Sequence, residues 1–183
     1  LQRSDQYPSL LERRDDYYFA DFGKAAFGQL RIKLKSDGRD TVIVRLGEKL
    51  SAPSKIDRDP GGTIRYQEYH LPLQEGTHTY QIKIKNDKRN TGPAAIKMPA
   101  YIGEVLPFRF IEIAGYRGEL VKQDIVQSMV HYPFNDSAAT FHSSNNILNQ
   151  VWDLCKYSVK ATTFAGVYVD GDRERIPYEA DAY

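Results

Sequence analysis

The chain has 183 residues, 41% of them hydrophobic, which suffices for one large domain or for one domain and part of another. A formal net charge of +1 argues against a nucleic-acid-binding protein, and no apolar run approaches the roughly 20 residues that span a bilayer. The one cysteine, Cys155, excludes an internal disulfide and fits a cytosolic protein and an exported one alike.

Strand signals dominate from about Tyr17 to Ile113. In four segments, polar and apolar residues alternate or β-branched residues cluster, and we predict these segments as strands. They are Gln29–Lys35, Thr41–Leu46, Thr79–Lys85 and Phe108–Ile113. Turn signals such as Asp37-Gly38 lie between them, and short strands of this kind predict a mainly β protein with an antiparallel, jelly-roll-like β-sandwich.

The strand pattern ends after Ile125–Val130, which we predict as one more strand. His131–Asp136 breaks the alternation and is the candidate domain boundary. We therefore predict an N-terminal lead over residues 1–16, a β-sandwich domain with its connecting strand over residues 17–136, and a second domain over residues 137–183.

Apolar residues recur at helical spacing after that boundary. They form one stripe, made of Ile147, Leu148, Val151, Trp152, Cys155 and Val159. We expect Ser143 or Ser144 to cap the helix and the helix to end between Thr163 and Gly166. Cys155 is interpreted as a small buried hydrophobic residue. A single amphipathic helix cannot bury its stripe alone, so we expect it to pack on the sandwich or on helices outside this chain.

The last fourteen residues, 170–183, hold five carboxylates and two arginines among several tyrosines. Cleavage of a glycosidic bond needs one carboxylic acid that protonates the leaving oxygen and a second carboxylate that acts as base or nucleophile. Glu174 lies between Arg173 and Arg175, which would lower its pKa, whereas the carboxylates of Asp170, Asp172 and Asp181 would raise it. The alternative is a solvated loop held by salt bridges, although Pro177 and Tyr178 favour a rigid, partly buried one.

Other candidate sites have weaker signals. Asp170-Gly171-Asp172 offers two oxygen ligands for calcium, but the donors and the glycine of an EF-hand do not follow. The four histidines show no zinc spacing. Three tyrosines of the sandwich could form an aromatic platform for carbohydrate, although packing within the sheet is the favoured interpretation. They are Tyr66, Tyr69 and Tyr80.

Several segments together resemble the α-L-rhamnosidase family of inverting glycoside hydrolases, glycoside hydrolase family 78. They are DFGKAAFG from Asp21, FRFIEI, GYRGEL, FHSSNNILNQVWDLCKYSVKATTF and DGDRERIPYEADAY. The resemblance covers about residues 21–183, and the terminal motif is its most specific part. It implies a β-sandwich followed by the first helix of an incomplete (α/α)₆ toroid of helical hairpins, with the active site in the toroid.

The terminal motif of that family implies roles for five residues of this chain. Glu174, in the Glu-Arg pair, corresponds to the general acid. Asp170 and Asp181 correspond to ligands of sugar hydroxyls, and Tyr178 stands where an aromatic residue lines the sugar pocket. Arg173 replaces an acidic residue of the motif, and we expect it to help position the ring. The general base of the family is a Glu far downstream, for which this chain has no position.

The resemblance thus implies inverting hydrolysis of terminal α-L-rhamnosides, with no cofactor and no metal. The expected partners are a carbohydrate substrate and the remainder of the catalytic domain, and the fragment alone is expected to be inactive. A periplasmic or extracellular location is favoured over a cytoplasmic one. The alternatives are a non-catalytic carbohydrate-binding sandwich module and an enzyme of the same fold that acts on another sugar.

Overall fold

The computed structural model describes residues 1–178. Within this part the chain is mainly antiparallel β-structure with one α-helix near its C-terminal end. The strands are β1 (Gln2–Gln6), β2 (Leu10–Arg13), β3 (Tyr17–Asp37), β4 (Thr41–Gly47), β5 (Leu50–Ala52), β6 (Lys55–Ile56), β7 (Tyr66–Pro72), β8 (Glu75–Gln81), β9 (Leu106–Ala114) and β10 (Ile125–His131). The helix α1 spans Asn146–Thr162, and short 3₁₀ turns lie at Lys88–Asn90 and Lys122–Asp124.

The 21-residue strand β3 is shared by two groups of strands and so builds the predicted β-sandwich. Its first half pairs with β2 and β9, and β9 continues the sheet through β4 to β7. Its second half pairs with β8 and β10. The register against β9 shifts between Asp21 and Ala26, as in a β-bulge that bends the strand. Arg109 donates to the Asp21 carboxylate from Nε at 2.7 Å and from Nη2 at 2.8 Å, which secures this bend.

The alternation read in the sequence becomes the buried face of the sandwich. Leu30, Ile32 and Leu34 of β3 are at most 1% exposed, and they pack in one cluster with inward side chains of β4 and β9. Fully burying side chains of this size contributes about 2 kcal/mol each. Gly28 permits the close approach of β10, because a Cβ there would lie 2.6 Å from the Ser128 carbonyl oxygen.

The opposite face of β9 carries a buried carboxylate. Glu112 is fully buried, and its Oε1 accepts a hydrogen bond from the Ile56 amide at 2.7 Å. Arg58 donates to both of its oxygens, and Arg45 Nη1 lies 3.5 Å from Oε2. The charge is therefore paired, as a buried carboxylate requires, and it holds the short β5–β6 hairpin to the sheet.

The chain divides into two compact units. The sandwich unit contains residues 4–85 and 104–129, and the helix unit contains residues 1–3, 86–103 and those from 130 onward. The helix unit thus combines the connection between β8 and β9 with everything that follows the last strand. That division was not expected, because sequence alone places residues 86–103 inside the sandwich domain. The predicted domain bounds stay a prediction.

Most predicted elements are present, and three details differ. The strand predicted over Thr79–Lys85 instead begins at Glu75 and ends at Gln81. The helix cap predicted at Ser143 or Ser144 is wrong, because the Asn145 side chain accepts the Ile147 amide at 2.9 Å. The predicted lead over residues 1–16 contains β1 and β2, and β2 pairs with β3.

The apolar stripe of α1 lies largely exposed in the part of the chain that the structure describes. Ile147 is 68% exposed and Val151 is 48% exposed. Cys155 is exposed as well, so its interpretation as a buried residue is wrong. Trp152 is the partly covered member of the stripe, and its ring centre lies 5.7 Å from that of Phe141. No helix among these residues is long and apolar enough to cross a membrane.

Candidate active-site loop

The C-terminal loop, residues 164–178, leaves the end of α1 and is fixed at its start. Phe164 and Val169 are fully buried, and the Val169 amide donates to the Thr162 carbonyl at 3.0 Å. Gly166 supplies a positive φ of 90° where the chain turns away from the helix. The loop is therefore tied to the last turn of α1 before it reaches the predicted site residues.

A buried ion pair anchors the middle of this loop. Arg175 is 1% exposed and its Nε donates to Asp172 Oδ1 at 2.7 Å. The same oxygen accepts Nδ2 of Asn90 at 2.8 Å. The Arg175 guanidinium also lies 5.4 Å from the centre of the Phe164 ring, within cation–π distance. Asp172 and Arg175 thus have charged and polar partners inside the protein instead of water.

Glu174 lies between these two buried residues and has the opposite environment. Its side chain is 34% exposed, and its Oε1 accepts Arg173 Nη2 at 2.9 Å and the Tyr178 hydroxyl at 2.7 Å. Asp170 lies 3.7 Å from Arg173 Nη2. Four of the five predicted site residues are therefore brought together in one exposed cluster, and the fifth, Asp181, lies outside the described residues.

The backbone is strained at Arg175, where the side chains change from the exposed Glu174 to the buried Arg175. Arg175 has φ of 53°, a left-handed conformation that is uncommon for a residue with a side chain. Its carbonyl accepts the Ile96 amide at 2.9 Å, which helps to hold this conformation. Residues in such strained conformations occur often at functional sites, where the surrounding structure fixes them.

The electrostatics of Glu174 differ from the sequence-based expectation. The hydrogen bond from Tyr178, together with that from Arg173, lowers the pKa of Glu174 below its ordinary value, although partial removal from water acts in the opposite direction. Asp172, one of the carboxylates expected to raise this pKa, accepts a hydrogen bond from Arg175 Nε at 2.7 Å. Glu174 is therefore ionised at neutral pH in this structure.

Asn90 is the residue of this region that sequence reasoning missed. It lies 82 positions before Asp172, in the 3₁₀ turn Lys88–Asn90, and is 4% exposed. Its neighbours carry no catalytic motif, and it lies within the stretch predicted as sandwich. No local signal could have placed it beside the C-terminal loop.

The other candidate sites are not supported. Tyr69 is buried in the main core, Tyr66 packs against the separate cluster around Phe19, and Tyr80 is partly buried against the main core. These tyrosines pack within the sheet, as favoured from the sequence, and do not form one platform. Between residues 1 and 178, no group of three or more His, Cys, Asp or Glu side chains is placed to hold a metal ion.

Two family models match consecutive parts of the chain. The model of the bacterial α-L-rhamnosidase concanavalin-like domain matches residues 11–131, more than half of the chain. The model of the bacterial α-L-rhamnosidase six-hairpin glycosidase domain matches residues 136–183. The C-terminal loop and α1 thus lie in the matched start of the glycosidase domain.

Solved structures share this fold at low sequence identity. An α-L-rhamnosidase from Dictyoglumus thermophilum matches with a TM-score of 0.67 and 18% identity over 98% of this chain. An α-L-rhamnosidase from Streptomyces avermitilis, complexed with L-rhamnose, matches with a TM-score of 0.63 and 16% identity over 94% of this chain. An α-L-rhamnosidase from Aspergillus terreus matches with a TM-score of 0.65 and 15% identity over 94% of this chain. The chain spans only 18%, 15% and 18% of these proteins, respectively. No curated protein sequence matches it.

Proposed function

Because the chain belongs to the bacterial α-L-rhamnosidase family, we propose that it is the N-terminal part of an enzyme that hydrolyses terminal α-L-rhamnosides with inversion. Glu174 is its general acid. Asp170, Arg173, Tyr178 and Asp181 position the sugar ring. The general base belongs to a part of the enzyme outside this chain.

One observation carries the proposal. Glu174 is held in an exposed position by Arg173 and Tyr178, on a loop whose neighbouring residues Asp172 and Arg175 are buried and paired. A catalytic carboxylate needs this combination, since it must reach the substrate and still keep a defined position. A merely solvated acidic loop would not need a buried ion pair whose two members, Asp172 and Arg175, flank its exposed acid.

The proposed chemistry divides the work between two carboxylates. Glu174 donates its proton to the glycosidic oxygen as the bond to the anomeric carbon breaks. The second carboxylate takes a proton from a water molecule that attacks the opposite face of the ring. Inversion requires the two groups to be about 6.5–9.5 Å apart, so that this water fits between them.

Glu174 must be protonated before it can act as an acid, and its lowered pKa in this chain works against that. Coverage of the exposed cluster by a bound sugar and by the rest of the enzyme removes water from Glu174, which raises a carboxyl pKa. After Glu174 has transferred its proton, the hydrogen bonds from Tyr178 and Arg173 stabilise the carboxylate that remains. We expect binding of the substrate to precede full protonation.

The test is Glu174→Gln in the complete enzyme, assayed with two rhamnosides that differ in their need for acid. Hydrolysis of methyl α-L-rhamnoside, whose leaving group is poor, is expected to fall by about 10²–10⁴-fold. Hydrolysis of the 2,4-dinitrophenyl rhamnoside is expected to fall far less, because dinitrophenolate leaves without a proton. The matched control is the exposed Glu119 of the sandwich unit, where the Gln substitution leaves both rates unchanged. Equal losses on both substrates would remove Glu174 from the acid role.

A further inference from the structure

We propose that Asn90 is a positioning residue for Glu174. In this proposal the segment 86–103, between β8 and β9, contributes to the active site by holding the loop that carries Glu174. This inference rests on the proposed role of Glu174 as general acid. It concerns a segment that sequence alone places in the accessory sandwich domain. Asn90 does not touch the substrate in this proposal, since it acts through Asp172.

The segment holds the C-terminal loop at two points, one on each side of Glu174. Before it, Asn90 Nδ2 donates to Asp172 Oδ1 at 2.8 Å. After it, the Ile96 amide donates to the Arg175 carbonyl at 2.9 Å. The two hydrogen bonds therefore restrain the backbone that carries Glu174 on both sides of it.

Asn90 is itself rigidly placed. It ends the 3₁₀ turn Lys88–Asn90, and its amide donates to the Asp87 carbonyl at 3.2 Å. The Asp87 side chain caps this turn by accepting the Arg89 amide at 2.9 Å. The donor offered to Asp172 therefore comes from a capped turn and not from a freely moving loop.

Asn90 affects the position of Glu174 through the Asp172 carboxylate. Its Oδ1 is shared by Asn90 Nδ2 and Arg175 Nε, and the residue is 6% exposed. When Asn90 is truncated, a buried carboxylate loses one of its donors and has no ready access to water, so it must reorient to find another. Glu174 is only two residues away, and a displacement of about 1 Å at a catalytic group costs on the order of 10²-fold in rate.

The experiment compares Asn90→Ala with the parent in the complete enzyme, again with methyl and 2,4-dinitrophenyl α-L-rhamnoside. The methyl substrate is expected to lose on the order of 10²-fold in kcat. The dinitrophenyl substrate is expected to lose less than about threefold, because it needs no proton from Glu174. The ratio of the two rates is independent of how much of the preparation is folded, so partial misfolding cannot produce this result.

Two further variants make the outcome decisive. Asn90→Asp keeps the shape but places an oxygen against Asp172, and it is expected to shift the ratio in the same direction. Gln127→Ala removes another buried amide, whose Nε2 donates to the Phe108 carbonyl at 2.7 Å in the sandwich unit, and it is expected to leave the ratio unchanged. A ratio that Asn90→Ala does not change would overturn the positioning role.

The same assay separates this inference from the proposed function. If Glu174→Gln changes the ratio and Asn90→Ala does not, Glu174 is the acid and Asn90 serves stability alone. If Glu174→Gln leaves the ratio unchanged, the acid assignment itself fails, and the positioning role fails with it.

Discussion

Glu174 and Arg175 are neighbours in the chain with opposite surroundings. The guanidinium of Arg175 is enclosed and paired with Asp172, whereas the carboxylate of Glu174 is 34% exposed and accepts hydrogen bonds from Arg173 and Tyr178. The two side chains therefore do different work. The pair between Arg175 and Asp172 holds the loop, and Glu174 presents its carboxylate at the surface.

Tyr178 gives a residue-scale prediction about acidity. In Tyr178→Phe the phenol hydrogen bond that contributes most to lowering the pKa of Glu174 is lost, so this pKa is expected to rise toward its ordinary value. The measurement is a carboxyl-carbon NMR titration of the chain. Because the folded pKa is lowered, stability from this group is present above the unfolded pKa and is lost as pH falls through the folded one.

The control for this titration is Tyr168→Phe, which removes a hydroxyl from the same loop; Tyr168 is not among the groups that shift the pKa of Glu174. The Tyr168→Phe variant is expected to leave the pH midpoint of the Glu174 titration unchanged. A midpoint in Tyr178→Phe that stays the same or moves lower would contradict the assignment of the hydrogen bond.

At the scale of residues, the exposed cluster around Glu174 was predictable from the sequence. The buried contact that holds the loop beneath it, between Asn90 and Asp172, was not. Arg173, Glu174 and Tyr178 lie within six consecutive residues, so their proximity follows from chain connectivity and from a recognisable motif. The contact between Asn90 and Asp172 depends on how a distant segment folds back. No periodicity or spacing encodes such a contact, because a single buried amide leaves no pattern in the sequence around it.

At the scale of elements, strands with a regular alternation were predicted and irregular ones were not. Leu30, Ile32 and Leu34 alternate with charged or polar residues, so β3 and its buried face could be read directly. The strand Tyr66–Pro72 was missed because only Tyr69 of its seven residues is buried. The strand Lys55–Ile56 is too short to show any period.

The cap of α1 gives the element-scale prediction. Asn145→Ala removes the side chain that accepts the Ile147 amide, and it is expected to lower the stability of the first helical turn by about 1 kcal/mol. Amide hydrogen exchange of residues 146–150 measures this change. Ser144→Ala, at the position that the sequence pattern favoured, serves as the control and is expected to have little effect. Equal losses in both variants would show that Asn145 is not the cap.

At the scale of the whole molecule, the chain by itself is expected to be inactive. The proposed mechanism needs a second carboxylate across the ring from Glu174, and in this proposal that group belongs to a part of the enzyme outside this chain. Purified residues 1–183 are therefore expected to release no phenol from an aryl α-L-rhamnoside above the buffer rate. Turnover by the isolated chain that disappears in Glu174→Gln would contradict the proposed division of work.

The placement of residues 86–103 has a consequence for how such proteins can be recombined. This segment lies between two strands of the sandwich, yet it donates hydrogen bonds to the loop that follows α1 in the neighbouring domain. A chimera joined near residue 133 would place the corresponding segment of another protein next to that loop. The hydrogen bond between Asn90 and Asp172 would then be lost. Fusions are therefore expected to keep these hydrogen bonds only when both domains come from one parent protein, or when segment 86–103 is exchanged together with the loop.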